Sequence, residues 1–104
     1  MQTAIINFVS RVEDESNVDL NKTYPGNNGY DPSKKFSIKF GRKYAKIIKH
    51  DANGTGGCVW GFVEIATGDL YKAAGWAKPA KHARGNIETA SYGRNYTWTG
   101  PNYL

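Results

Sequence analysis

Residues 57–87, GCVWGFVEIATGDLYKAAGWAKPAKHARGNI, decide the reading of the fold. Two apolar, β-rich runs flank a turn at Thr67-Gly68-Asp69. The order predicts a hairpin over 58–65 and 70–76, one helical turn from Pro79 to Ala83, and a closing strand over 86–89. This is the second half of a small, strongly bent antiparallel barrel. Such a barrel has little interior to spare for a pocket, so function is expected on its surface.

Upstream, Phe36, Ile38 and Phe40 alternate with Ser37 and Lys39, a half-buried strand, and Gly41-Arg42 turns the chain. Residues 43–49 form a second strand with Ala45 and Ile47 on one face and Tyr44, Lys46 and Ile48 on the other. The loop Asp51–Gly57 offers two positions for positive φ. Further back, Ile5, Phe8, Val9 and Val12 recur at helical spacing, predicting a helix over 3–13 with Thr3 as N-cap, docked on the sheet. Glu13, Asp14 and Glu15 oppose the dipole at its end, so the helix is expected to fray there. A long polar loop over 14–34 follows, with Tyr24 and Tyr30 as anchors. The aromatic tail over 90–104 adds an edge strand, caps the barrel or meets a neighbouring subunit. The expected fold is therefore mainly β: a five-stranded antiparallel barrel over 35–89, Sm-like or SH3-like, with an N-terminal helix. An OB-fold is the runner-up, although its helix lies between strands three and four.

The chain of 104 residues fits one domain. Its three Trp, seven Tyr, four Phe and twelve Gly suit a β protein better than a helical bundle. No run reaches the length of a membrane span. Met1–Arg11 lacks the basic start and cleavage site of a secretory signal, which predicts an intracellular protein. Cys58 is the only cysteine and reads as a small apolar filler rather than a reactive thiol. The net charge of +5 is unevenly placed: residues 1–33 carry −3 and residues 34–104 carry +8. The later part is expected to have a basic surface and the earlier part an acidic patch.

The segments KFGRKYAKI, GFVEIATGDLYKAAGW and PAKHARGNI, all within residues 39–87, resemble a family of small proteins from ocean metagenomes and cyanophages. The resemblance covers roughly half the chain. It implies an Sm-like fold, a ring-shaped homo-oligomer, a role with nucleic acid, and the cytoplasm of an infected bacterial host. Arg84-Gly85-Asn86-Ile87 resembles the Arg-Gly start of the second Sm motif, and Lys81-His82-Ala83 is similar to the Lys-His-Ala of bacterial Sm-like RNA chaperones. The base-binding Asp-x-x-x-Asn of the first Sm motif is not recognisable, which argues against uridine-specific recognition.

Two clusters carry candidate chemistry. The first hairpin holds Lys39, Arg42, Lys43 and Lys46, flanked by Lys34, Lys35 and Lys49. Strand spacing sets such cations several ångströms apart, as a phosphate backbone requires, or makes them an edge protected against aggregation. The second cluster is Lys72, Trp76, Lys78, Lys81, His82 and Arg84. Cations interleaved with a ring suit a single strand, the ring stacking on a base; the alternative puts Trp76 in the core and pairs Arg84 with a carboxylate. With two His and no carboxylate cluster, zinc or nuclease chemistry is not expected, nor is a cofactor. Asn53–Gly57 lacks the Lys-Ser/Thr ending of a nucleotide-phosphate loop.

The reading that follows is a non-enzymatic module binding RNA or single-stranded DNA as a ring homo-oligomer. A phage structural or protein-interaction module, using the acidic N-terminal patch and aromatic tail, is the second reading. A hydrolase built on Glu64, Asp69 or His82 is the third.

Overall fold

The computed structural model describes residues 2–24 and 31–102. Helix α1 (Gln2–Thr23) is followed by β1 (Lys34–Phe40), β2 (Tyr44–Asp51), β3 (Cys58–Glu64), β4 (Asp69–Ala73) and β5 (Pro79–Asn86), then by a two-stranded hairpin, β6 (Tyr96–Thr97) and β7 (Gly100–Pro101). The five long strands form one antiparallel sheet in sequence order, with β1 and β5 at its edges. Among the described residues this sheet is open, so the expected closed barrel is corrected to a mainly β fold with an N-terminal helix. No helix separates β3 from β4, as the OB alternative required; Gly68 turns the chain there at φ 80°. The loop after β2 likewise carries its two positive-φ glycines, Gly54 and Gly56.

Period-two alternation sorts the sheet into two faces. Phe36, Ile38 and Phe40 of β1, Ala45 and Ile47 of β2, Val63 of β3 and Leu70 of β4 point inward. A bulge in β3 opposite Ile47/Ile48 leaves Trp60 as the extra residue. Its indole joins the inner face, 6.0 Å from Phe36 and 6.3 Å from Phe8 of α1. The docking stripe of Ile5, Phe8, Val9 and Val12 is buried as expected.

The helix does not stop at residue 13. Its buried stripe continues through Ser16 and Leu20, and two of the three acids expected to oppose the dipole, Glu13 and Glu15, have partners, as does Asp19. Glu13 accepts a hydrogen bond from the Phe36 N–H at 2.8 Å. Glu15 accepts one from the Tyr96 hydroxyl at 2.6 Å, and Asp19 one from the Tyr92 hydroxyl at 2.7 Å. These bonds outweigh the unfavourable dipole term, worth about 0.3–1 kcal/mol per exposed charge. Thr3 accordingly lies inside the helix rather than capping it. Tyr24, one expected anchor, is exposed, and Tyr30, the other, falls outside the described residues.

Two further expectations change. Pro79 opens a strand opposite Ala73, a position that needs no N–H, rather than a helical turn. One isolated turn of helix is unfavourable in water, whereas an irregular ladder with β4 pairs Pro79, Ala83, Gly85 and Asn86. Residues 87–89 are then a turn, with Ala90 N–H bonded to Asn86 O at 2.8 Å.

The tail caps the inner face. Gly61 makes this possible: a Cβ there would meet Tyr71 O at 2.9 Å and Pro101 at 3.0 Å, and one on Gly100 would meet Trp60 O at 2.8 Å. The hairpin thus rests directly on β3. The Trp60 indole N–H bonds Thr97 O at 2.9 Å. Tyr96, fully buried, packs edge-on against Phe8, Trp60 and Tyr92 at 5.4–5.7 Å.

The edge of β1 is occupied as well. Lys34 N–H donates to Asn17 Oδ1 at 2.7 Å, and Asn17 Nδ2 donates back to Lys34 O at 3.0 Å. With Glu13 on Phe36, helix side chains take the place of a neighbouring strand along the first part of β1.

Burial, and then the bond to Glu15, push the Tyr96 hydroxyl up to about 12 from its ordinary 10. Folding favours the neutral phenol, so this contribution is intact below pH 10 and is lost as pH rises through about 12. Urea unfolding should show Tyr96→Phe destabilised by about 1–3 kcal/mol at neutral pH, because Glu15 loses its donor. The same variant should show a shallower loss of stability between pH 10 and 12 than the parent chain.

Candidate nucleic-acid interface

The outer face carries what the core does not use. In β2, Tyr44 and Lys46 alternate with buried Ala45 and Ile47, so both project outward. Across the ladder Lys46 faces Phe62 of β3, and Phe62 faces Tyr71 of β4. Tyr44 meets Phe62 edge-on at 6.2 Å and Tyr71 at 5.8 Å. Phe62 is only 3% exposed, although it lies on the solvent side of the sheet. An aromatic layer therefore floors this face.

Cations surround that floor. Lys39 of β1 lies directly opposite Lys46 of β2. Like charges so placed repel, and none of the carboxylates that form described ion pairs lies on either lysine. The Lys46 ammonium rests instead on the Trp76 ring, 4.6 Å from its centroid. Trp76 sits on the tight connection between β4 and β5, closed by Ala74 N–H to Lys78 O at 2.9 Å, and is 58% exposed. The Lys43 ammonium lies 5.5 Å from the Tyr44 ring centroid. Between Lys39, Arg42, Lys43 and Lys46 lies an open cleft of about 260 Å³, lined also by Phe40, Tyr44, Phe62 and Ala77.

The residues expected to bind nucleic acid thus divide. Lys39, Arg42, Lys43, Lys46 and Trp76 come together on the outer face. Lys78, Lys81 and His82 are exposed along the start of β5, beyond the cleft lining. Lys72 and Arg84 reach the tail: Lys72 Nζ donates to Pro101 O at 3.2 Å, and Arg84 Nε donates to Asn102 O at 2.9 Å. Lys49, which flanks the first cluster in sequence, is half-buried with its ammonium on Trp98 O at 3.1 Å and over the Trp98 ring at 4.7 Å. Burial lowers its pKa from the ordinary lysine range. Sequence reasoning had no role for Tyr44, Phe62 or Tyr71; the signal available was that Tyr44 shares the parity of Lys46.

The other chemical candidates are structural. His50 is held between Ser37 Oγ and Gly56 O, each at 2.9 Å. Asp51 pairs with Lys34 at 2.9 Å, and that bond lowers its carboxyl pKa. Cys58 is exposed rather than filling the core. Among the described residues no cluster of three or more His, Cys, Asp or Glu forms a metal site, and no helix is long and apolar enough to cross a membrane.

A family model described as a family of unknown function, DUF7717, matches residues 2–104. The chain belongs to the DUF7717 family. No curated protein and no solved structure matches it.

Relieving the repulsion across the β1–β2 ladder should cost nothing. Lys39→Gln is expected to leave thermal stability unchanged or slightly raised, within about 0.5 kcal/mol, with the gain larger at low salt. Arg84→Gln, which takes a charged donor from the tail, should lower stability by about 1–3 kcal/mol in the same melts.

Proposed function

We propose that this face binds single-stranded nucleic acid, RNA or single-stranded DNA, without covalent chemistry. The observation that carries the reading is the uncompensated Lys39–Lys46 pair beside exposed Trp76, above a floor of Tyr44 and Phe62. A phosphate at each of the two ammonium groups offsets their repulsion. Displacing Lys46 from the indole frees a ring face for a base. Stacking and backbone neutralisation are the two terms by which single strands are held. A duplex would bury its bases away from the aromatic floor.

The acidic N-terminal patch that motivated a protein-interaction module is largely engaged inside the molecule, since Glu13, Glu15 and Asp19 bond β1 and the tail. That favours the nucleic-acid reading. Assembly belongs to the same proposal. A homo-oligomeric ring of Sm-like character would have to use the edge of β5, because Asn17 and Glu13 occupy part of that of β1. Repetition around a ring would raise a modest affinity by avidity. Light scattering giving a monomeric mass would remove the ring and leave the binding face as it is.

Fluorescence anisotropy with labelled oligo-A, oligo-U and single-stranded DNA across a salt series tests the reading. Binding is expected to weaken with salt, with a log–log slope of about −0.7 per phosphate neutralised. Lys39→Gln with Lys46→Gln should flatten that slope by about 1.4. Trp76→Ala should weaken binding about tenfold, the loss of roughly one stacked base. Absence of binding at low salt would overturn the proposal.

A further inference from the structure

Resting on that reading, we infer that the cleft between the β1–β2 turn and the aromatic floor is a seat for guanine. Hydrogen-bond complementarity singles out that base. The charged side chains lining the cleft are Lys39, Arg42, Lys43 and Lys46, and all of them only donate. No carboxylate or carboxamide lines it, and Tyr44 is the sole side chain there able to accept. Glu64, across the ladder from Tyr44, is outside the lining and accepts from the Tyr71 hydroxyl at 3.3 Å.

Each base presents a different pattern on its Hoogsteen edge. Adenine offers an acceptor beside a donor and is matched by Asn or Gln, and cytosine offers a donor matched by Asp or Glu. Guanine offers two adjacent acceptors, O6 and N7, the pattern met by the fork of an arginine or by a lysine. Uracil and thymine present a single acceptor there. A cleft that only donates therefore fits guanine best. Arg42 is the residue for the fork. It is exposed in the turn between β1 and β2, and no described residue binds its guanidinium. Lys39 and Lys46, on the strands, remain for the flanking phosphates. The larger purine ring also covers more of Tyr44, which lines the cleft, than a pyrimidine would.

The test uses the full chain and labelled pentanucleotides UUXUU, where X is guanine, adenine, cytosine, uracil or 7-deazaguanine, with free GMP as competitor. The guanine pentamer should bind at least about fivefold more tightly than the adenine, cytosine and uracil pentamers. Replacing N7 by carbon should remove most of that preference. Arg42→Met, which keeps the length and loses every donor, should level the series, whereas Arg42→Lys should keep part of the preference and leave the salt slope unchanged. GMP competing as well as the pentamer would uphold the guanine seat and assign it to a free nucleotide. Equal affinity for all the pentamers would overturn the guanine inference and leave single-strand binding standing. Failure of every pentamer to bind at low salt would overturn both.

Discussion

The architecture hangs on the hydroxyl of Tyr96 meeting the carboxylate of Glu15 at 2.6 Å beneath a closed aromatic cluster. Three parts of the chain converge on that ring: Phe8 from the helix, Trp60 from the bulge of β3, and Tyr92 from the tail. None of them has a sufficient core alone. The sheet has one face to cover, and the helix covers only the β1–β3 side of it. The tail covers the rest, and can lie close only where Gly61 and Gly100 remove the side chains between backbones. The bond to Glu15 fixes the tail to the helix, so all three layers form together.

That arrangement also sorts the positive charge. A cation near the tail finds backbone carbonyls to satisfy: Lys49 takes that of Trp98, Lys72 that of Pro101 and Arg84 that of Asn102. These groups are partly desolvated, and hydrogen bonds to charged donors are worth about 1.5–3 kcal/mol each. On the other face the carboxylate of Glu64 takes the Tyr71 hydroxyl rather than a lysine. Lys39 and Lys46 stand opposite each other, with the Trp76 ring against Lys46. A basic composition has thus been divided into cations that hold the protein together and cations that face outward.

Local pattern was enough for some of this and not for the rest. The alternation of Phe36, Ile38 and Phe40 against Lys35, Ser37 and Lys39 is a property of neighbours, so β1 and its faces were legible. So were the helical stripe of Ile5–Val12 and the glycine turns. What misled was anything settled far along the chain. Glu15 looks like a poor helix residue until Tyr96 arrives 81 positions later. Pro79–Ala83 looks like a turn of helix until β4 lies beside it. Arg84 gives no sign of its bond to Asn102 O until the tail is in place. In the cleft, the lysines were visible because charge is a residue property. The aromatic floor was not, because placing Phe62 beside Lys46 requires the register across the bulge.

Asn17 carries an implication for how the chain came to be made this way. Its carboxamide holds the same donor and acceptor as a peptide unit, and it meets Lys34 as a ghost strand would. The helix is therefore more than a lid on the apolar side; it is a chaperone in cis for the border of the sheet. A polypeptide shortened from the front would lose its lid and its border guard in one stroke, leaving a sticky ribbon ready to recruit its own kind.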